Sequence, residues 1–355
     1  MIYVDIYNIN TPMYRFDEIR KIHLELTTRC NASCPLCLRN FHGYDYNRGY
    51  DLTELTLADI QNIFPSSFVQ QLNTIVFCGN YGDFMLARDS LKIVEYLRSI
   101  KSQGFRLIIH TNGSARNEEY WTTLACLDAE VHFALDGLSD THAQYRRGTN
   151  FDTIIRNAQA FIAAGGSATW KMIPFEYNMH QIEDCRQMSK ELGFSDFLLF
   201  ERGRNQGPVY GKDGRYLYNL DEDKKGAKFK TAQEHIEYWK KTTREDSYFL
   251  KPAEQIQCRS KQTKEIYITA EGEVYPCCYM GFSPRKDTRN IGANQVRALI
   301  ENFDNNAKHR SVQECIQWFN QIEKTWNLDT YDQGRMFICD MSCGVKQRAD
   351  LRNLL

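Results

Sequence analysis

Leu26-Thr-Thr-Arg-Cys30-Asn-Ala-Ser-Cys34-Pro-Leu-Cys37 sets three thiols at spacings of three and two intervening residues, directly after an apolar, strand-like run over residues 22–26. Thiolates are the ligands that iron–sulfur clusters require. Three thiolates from one short loop leave a four-iron cube one position short of full protein ligation. An open metal position is where a cofactor or substrate binds. A zinc loop or a set of buried thiols is the alternative, because Cys-x2-Cys alone is common in zinc sites.

Outward from this loop, short apolar runs alternate with amphipathic helices, the signal for βα units in a parallel sheet. Strands are expected at 22–26, 74–78, 106–110, 131–135, 168–173 and 197–200. Thr56 caps an expected helix over 57–64, Asp89 opens one over 90–102 with Gly104 beyond it, and Asn178 precedes one over 179–192 that Gly193 ends. Six units are too few to close an eight-stranded barrel, so a partial α/β barrel, open along one side, is expected. Barrel active sites lie in the loops after the strands' C-terminal ends, where the Cys30–Cys37 loop falls.

Other strand ends carry polar groups. Strand two is followed by Cys78-Gly79-Asn80-Tyr81-Gly82-Asp83, whose glycines let backbone approach a ligand closely. Strand three ends in His110-Thr111-Asn112-Gly113, which reads as site-facing polar groups or as an ordinary Asn-Gly turn. After strand four comes His142-Ala-Gln-Tyr-Arg146-Arg147, and a guanidinium matches a carboxylate in bidentate geometry. Asn178 and His180 follow strand five, and Asn178 reads equally well as a helix cap.

The cysteines crowd again after residue 257. Alternating runs over 265–269 and 273–275 flank a turn, so a hairpin brings Cys258 and Cys277 together. Cys339 and Cys343 are four apart, on one face of a helical turn. Four thiolates suffice to ligate a second four-iron cluster, with Cys278 able to stand in for its neighbour and structural zinc as the rival. Cys126, Cys185 and Cys315 read as buried core, and Cys78 sits near the barrel mouth without a partner.

These motifs, in this order, resemble the radical S-adenosylmethionine (radical SAM) enzymes and, among them, the SPASM/twitch-domain subgroup in its one-auxiliary-cluster twitch form. The resemblance implies a partial (β/α)6 TIM-like barrel with a small C-terminal α+β auxiliary-cluster domain. The divisions would be an N-terminal extension over 1–21, the barrel over 22–202, a linker and helix over 203–256, and the twitch domain over 257–355. It implies a [4Fe-4S] cluster on Cys30, Cys34 and Cys37, S-adenosylmethionine (SAM) on its unique iron, and an auxiliary [4Fe-4S] cluster on Cys258, Cys277, Cys339 and Cys343. The implied SAM contacts are Leu36 beside the adenine, Gly79, Asn80, Tyr81, Gly82 and Asp83 at the methionine amino group, and Thr111, Asn112 and Asn178 at the mouth. Arg146 would pair with the SAM carboxylate, with Arg147 in reserve. The chain departs from the family pattern in carrying Asp83 where glutamate is usual, glycines split by Asn80 and Tyr81, and Ala134 where the subgroup often has serine.

The implied reaction is reductive cleavage of SAM to a 5′-deoxyadenosyl radical, abstraction of a substrate hydrogen, and passage of an electron to the auxiliary cluster. The alternatives are a peptide maturase forming a carbon–carbon or thioether crosslink, and a non-redox zinc-binding protein. A flavodoxin- or ferredoxin-type electron donor is implied; no general acid or base can be read from the sequence.

Composition fits. Lys plus Arg number 44 against 45 Asp plus Glu in 355 residues, so no overall field draws nucleic acid or anionic membrane. A small-molecule or peptide substrate is therefore expected, and the absence of a leader-binding segment tilts this toward a small molecule or a separately delivered peptide. No apolar run approaches the roughly 20 residues of a membrane span, and Met1-Ile-Tyr-Val-Asp lacks signal-peptide features, so a cytoplasmic location is expected. Twelve cysteines in a reducing compartment point to metal or redox chemistry rather than to disulfides.

Overall fold

The structure, a computed structural model, describes residues 13–44, 50–200, 207–220, 228–242, 252–281 and 291–345. Each of the six apolar runs forms a strand: β1 Lys21–Leu24, β2 Thr74–Phe77, β3 Arg106–Thr111, β4 Glu130–Ala134, β5 Ser167–Met172 and β6 Asp196–Leu199. They pair in parallel in chain order, with Ile22 opposite Ile75 and Thr111 opposite Phe133. A strand turns alternate side chains to opposite faces. Ile22, Leu24, Ile75, Phe77, Val131 and Phe133 are accordingly buried in one core with helix residues Leu97, Trp121 and Phe161, while His23, Val76 and His132, on the other face, are half-buried.

The intervening helices begin where side chains satisfy their first N–H groups. Thr56 and Asp59 form a reciprocal capping box at Leu57–Ile63, and Asn117 and Asn150 cap Glu118–Cys126 and Phe151–Ala163. Two expected caps differ. Asp89 precedes Ser90–Ile100 without capping it; its Oδ2 accepts from Leu57 N at 3.2 Å, joining two helices. Asn178 stands before a short 3-10 turn, Met179–Gln181, that leads into the helix Ile182–Glu191, and its amide is used elsewhere.

The C-terminal hairpin, β9 Glu265–Ile268 and β10 Val274–Tyr275, joins the barrel's own sheet. β9 lies parallel to β1, Ile266 opposite Ile22, giving an eight-stranded sheet among the described residues in the order β10-β9-β1-β2-β3-β4-β5-β6. β10 and β6 are its two edges, so the barrel stays open. The reason is apolarity on both faces: Ile266, Tyr267, Ile268, Val274 and Tyr275 are all fully buried, and one core runs from β1 to Trp318, Met336 and Cys339. Met13 and Tyr14, in the N-terminal extension, pack against this same region, with Tyr14 edge-on to Phe319 at 5.9 Å.

A segment that reads as linker is partly structured. β7 Pro208–Tyr210 and β8 Tyr216–Asn219 form an antiparallel hairpin, and buried Val209 packs with Cys34, Tyr145 and Phe175. Arg147 Nη1 donates to Tyr210 O at 2.7 Å, fastening the hairpin over the cysteine loop. Two short strands between glycines carry too little alternation to be legible. The helix Ala232–Thr242 is as expected, and the charged run 221–226 lies outside the described residues. Cys185 and Cys315 are buried as expected, but Cys126, in the last turn of its helix, is exposed. Among the described residues no helix is long and apolar enough to cross a membrane.

Candidate active site

The C-terminal end of β1 positions the first cysteine group. Glu25, one residue past the strand, is 1 % exposed. Its Oε1 accepts from Tyr81 N and from Gly82 N, the latter at 3.1 Å, and its Oε2 accepts from Tyr267 OH at 2.6 Å. One carboxylate thus ties β1, the loop after β2 and β9 together. Sequence reading passes over this residue; a charge inside the apolar run 22–26 is the available signal, since a buried carboxylate needs partners.

The glycine turn after β2 is shaped by chain-to-chain contact. A Cβ on Gly79 would lie 1.6 Å from Gly82 O, and one on Gly82 would lie 1.8 Å from Thr27 O. Asp83 N donates to Arg29 O at 2.8 Å, and Arg39 donates to Thr28 O and, at 2.6 Å, to Tyr81 O. The glycines therefore let this turn press against the cysteine loop itself. Asn80 Nδ2 meets His23 Nε2 at 3.3 Å on the barrel's inner side.

Asp83 is 5 % exposed and engaged by the protein: Thr111 Oγ1 donates to it at 2.7 Å, Asn112 N at 2.8 Å and Met85 N at 3.3 Å. Burial raises its pKa, against the lowering effect of these donors. Thr111, Asn112 and Asp83 form one network behind the loop, from which Asn112 Nδ2 reaches Asn31 Oδ1 at 2.9 Å and Cys30 Sγ at 3.7 Å. Arg146 faces the same loop from the other side. Its Nε donates to Asp136 Oδ2 at 2.6 Å while Nη1 lies 3.9 Å from Cys34 Sγ, and Asp136, fully buried, also accepts from Ile173 N at 2.6 Å. Asn178 is fully buried, accepting from Phe175 N at 2.7 Å and donating to Ile173 O at 3.1 Å, so it shapes the loop after β5. Leu36 packs with Cys37, Tyr177 and Tyr218 around Cys34 and Phe175.

Cys30, Cys34 and Cys37 are near enough to act on one another electrostatically. Burial first, then neighbouring charge, pushes the Cys30 thiol up, and burial pushes Cys34 up to about 11 against the pull of Arg146. Ala32 N donates toward Cys30 Sγ at 3.4 Å. Three N–H donors thus point at sulfurs on this loop, which suits sulfurs that carry negative charge as metal ligands.

The second cysteine group lines a cavity of about 320 Å³, walled by Cys258, Cys277, Cys278, Cys339 and Cys343 with Arg259 and Tyr279. Burial raises Cys258, Cys277 and Cys339; after it, Cys277 is raised by Cys278, then by Cys339 and Cys258, and Cys339 by Cys258 and Cys343. Cys278, pushed up to about 11, is acted on instead by Glu265 and Arg259. Zinc bonds of about 2.3 Å draw four sulfurs to within about 4 Å of one another. Among the described residues no three His, Cys, Asp or Glu side chains converge closely enough to hold a single metal ion. The cavity has room for a larger sulfur-ligated group.

The radical SAM superfamily model matches residues 24–188. A probable GTP 3′,8-cyclase of Methanococcus aeolicus is 22% identical over 279 residues, 73% of this chain and 85% of that protein. Streptococcus suis SuiB bound to S-adenosylmethionine aligns over 91% of this chain and 72% of its own, with TM-score 0.56 and 14% identity. In a crystal structure bound to precursor peptide SuiA it aligns with TM-score 0.54 and 14% identity, over 92% of this chain and 73% of its own. Histidine-tagged anSMEcpe with bound AdoMet aligns over 94% of this chain and 95% of its own, with TM-score 0.51 and 14% identity. At such identities the likeness to these structures is one of fold.

Proposed function

We propose that this chain, whose residues 24–188 match the radical SAM superfamily model, is a radical SAM oxidoreductase that uses a [4Fe-4S] cluster and SAM, with an auxiliary [4Fe-4S] cluster in a C-terminal twitch unit. The observation that carries the reading is the Cys30–Cys37 loop at the end of β1, held by Glu25 and the glycine turn, with Asn112 and Arg146 nitrogens directed at Cys30 and Cys34. When bound, the two clusters and SAM supply the chemistry: one electron from a flavodoxin- or ferredoxin-type donor cleaves SAM to methionine and a radical that takes a substrate hydrogen atom, and the substrate then releases one proton and, to the auxiliary cluster, one electron.

The chain's own groups have distinct tasks. Cys30, Cys34 and Cys37 hold the first cluster and Cys258, Cys277, Cys339 and Cys343 the second, with Cys277 preferred to its neighbour Cys278 because Cys339 and Cys258 act on it as well as Cys278, whereas Cys278 is acted on by Glu265 and Arg259. Arg146 keeps Nε on Asp136 and Nη1 beside Cys34 on the loop, an arrangement suited to receive the SAM carboxylate. Gly79, Asn80, Tyr81 and Gly82 line the place of the methionine amino group, and Leu36 that of the adenine. Asp83, Thr111, Asn112 and Asn178 act by fixing the loops, since hydrogen bonds within the protein engage their side chains. The twitch unit, taken as residues 257–355 after an extension over 1–21, a barrel over 22–202 and a linker over 203–256, adds its hairpin to the barrel sheet through β9.

A second reading, a maturase joining atoms within a peptide, is favoured by the fold shared with SuiB, which has been crystallised with a precursor peptide. A peptide is for that reason the substrate class we favour over a small molecule. Anaerobically reconstituted protein, reduced with dithionite and given SAM, should release 5′-deoxyadenosine; protein that binds no iron, or binds it and releases none, refutes the proposal. Dehydrogenation and crosslinking both remove two hydrogens from a peptide, and fragmentation between the joined residues separates them.

A further inference from the structure

Two histidines on the barrel's inner wall are not explained by holding the fold. Alternation along β3, β4 and β5 sends Ile109, Val131, Phe133, Ala168 and Trp170 into the helix-packed core, where Trp121 meets Phe133 at 5.2 Å. His110, His132 and Lys171 have the opposite parity, so they lie on the inner wall, and all three are half-buried. His23, on β1, is satisfied there: Asn80 Nδ2 lies 3.3 Å from its Nε2, and Tyr267 packs edge-on at 4.9 Å. His110 and His132 differ. They stand opposite each other in the ladder of β3 and β4, their rings stack at 4.8 Å and 15°, and His132 Nδ1 is buried with no hydrogen-bond partner. Among the described residues no protein group hydrogen-bonds either ring. Stacking satisfies the ring faces but not the ring nitrogens, and a buried nitrogen without a partner is costly. An apolar side chain would supply the same bulk without that cost.

The charges on this wall narrow the ligand. Burial first, and the charge of Lys171 next, lower His110 to about 2 and His132 to about 4, so both rings are neutral at neutral pH and each carries one N–H donor and one acceptor nitrogen. Lys171 pairs in register with Ala134, two residues beyond His132, and its Nζ lies over the Phe200 ring at 4.5 Å. The described carboxylates of the wall are engaged. Arg106 holds Glu130 at 2.7 Å, Gly82 N and Tyr267 OH hold Glu25 at 3.1 Å and 2.6 Å, and exposed Asp196 accepts from Phe197 N at 2.8 Å. Lys21, whose charge also reaches His110, is held by Glu265 at 2.5 Å. The stacked rings thus offer N–H donors beside a cationic side chain, the combination that receives an anion.

We propose that His110 and His132, with Lys171 beside them, form a recognition site inside the barrel for the carboxylate of an acidic residue in the substrate peptide. The inference rests on the reading that this barrel receives a peptide. His110 comes two residues before Asn112, whose Nδ2 reaches Cys30 Sγ at 3.7 Å, so the site lies beneath the cysteine loop. A carboxylate held there sets the register of the peptide against that loop without itself reacting. One ammonium beside two neutral rings balances a singly charged carboxylate better than a dianionic phosphate.

The test is nuclear magnetic resonance on the full chain, reconstituted anaerobically and isotopically labelled at the histidine imidazoles, with N-acetyl-aspartate amide, N-acetyl-asparagine amide and inorganic phosphate as probes at neutral pH. The resonances lost in His110→Phe and His132→Phe, which keep a ring in the stack, assign the pair. The aspartate probe should shift both resonances and bind roughly tenfold more tightly than the asparagine probe, and each variant should lose roughly tenfold in affinity for it. Equal binding of the aspartate and asparagine probes, tighter binding of phosphate, or no shift at either histidine overturns the proposal. Should a variant fail to fold, discrimination between the probes by the unaltered chain decides alone. Release of 5′-deoxyadenosine by the same preparation is measured alongside. A chain that cleaves SAM without discriminating the probes refutes this inference alone, whereas one that discriminates them and never cleaves SAM refutes the radical SAM reading and leaves the carboxylate site standing.

Discussion

Each cysteine group stands beside a buried arginine–aspartate pair, and the two pairs are used differently. At the first, Arg146 gives only Nε to Asp136 and keeps Nη1 near Cys34 Sγ. At the second, all three nitrogens of Arg335 are taken up by Asp340 and the carbonyls of Trp326, Leu328 and Ala253. An arginine with unspent donors can receive a ligand; one fully occupied by its own chain can only hold structure. The proposed function asks for this contrast, a first region that receives SAM and a second that holds a fixed cluster.

The largest expected effect separates the two groups by activity. Cys30→Ala should abolish 5′-deoxyadenosine formation, measured by chromatography after anaerobic reduction, while Cys339→Ala should retain uncoupled cleavage; equal loss in both would erase the distinction. Next in size is the arginine pair. Arg335→Met strands the fully buried Asp340 carboxylate and should cost about 3–5 kcal/mol in denaturant unfolding, with loss of second-site iron. Arg146→Lys keeps a cation beside Asp136, so it should weaken SAM binding by calorimetry far more than it lowers stability.

A smaller effect is expected at the turn that backs the first loop. Gly82→Ala forces a Cβ against Thr27 O and should cost about 1–3 kcal/mol while slowing SAM cleavage. A stability loss with unaltered cleavage would mean that the turn does not position the loop.

The smallest expected effect is one of pH. Burial, followed by the charges of Lys21 and Lys171 respectively, lowers His23 and His132 to about 4, below the roughly 6.5 of an unfolded chain. The unfolded state then binds more protons between those values, so stability is complete above about pH 6.5 and falls as pH drops toward about 4. His132→Asn should shrink the difference in urea midpoint between pH 7.5 and pH 5. No histidine is among the residues lining the second cavity, so Lys21→Gln, which touches that wall, should change this slope through the barrel histidines His23 and His110.

The two regions also differ in how legible they are. The six strands and the loop cysteines are local patterns, an apolar run followed by a fixed spacing, and the strand positions fall within one or two residues of those expected. What escapes reading depends on contacts distant in sequence. Glu25 is explained by Tyr81, Gly82 and Tyr267, the last 242 residues away, and Arg335 by Asp340 together with carbonyls as far off as Ala253. Asn178 and Asp89 read as caps because the same residue types that cap helices also tie loops, and only the partner tells which. Gly79 and Gly82 are legible as points of close approach, though Gly79 closes its own turn on Gly82 O and Gly82 lets that turn meet Thr27 O.

The most direct test of two separate cluster sites is paramagnetic resonance on two reduced, anaerobically reconstituted variants, one lacking Cys30, Cys34 and Cys37 and the other lacking Cys258, Cys277, Cys339 and Cys343. Each should retain one [4Fe-4S] signal, and added SAM should perturb only the signal of the variant that keeps Cys30, Cys34 and Cys37. A signal perturbed by SAM in the other variant, or iron lost from both, would contradict the account.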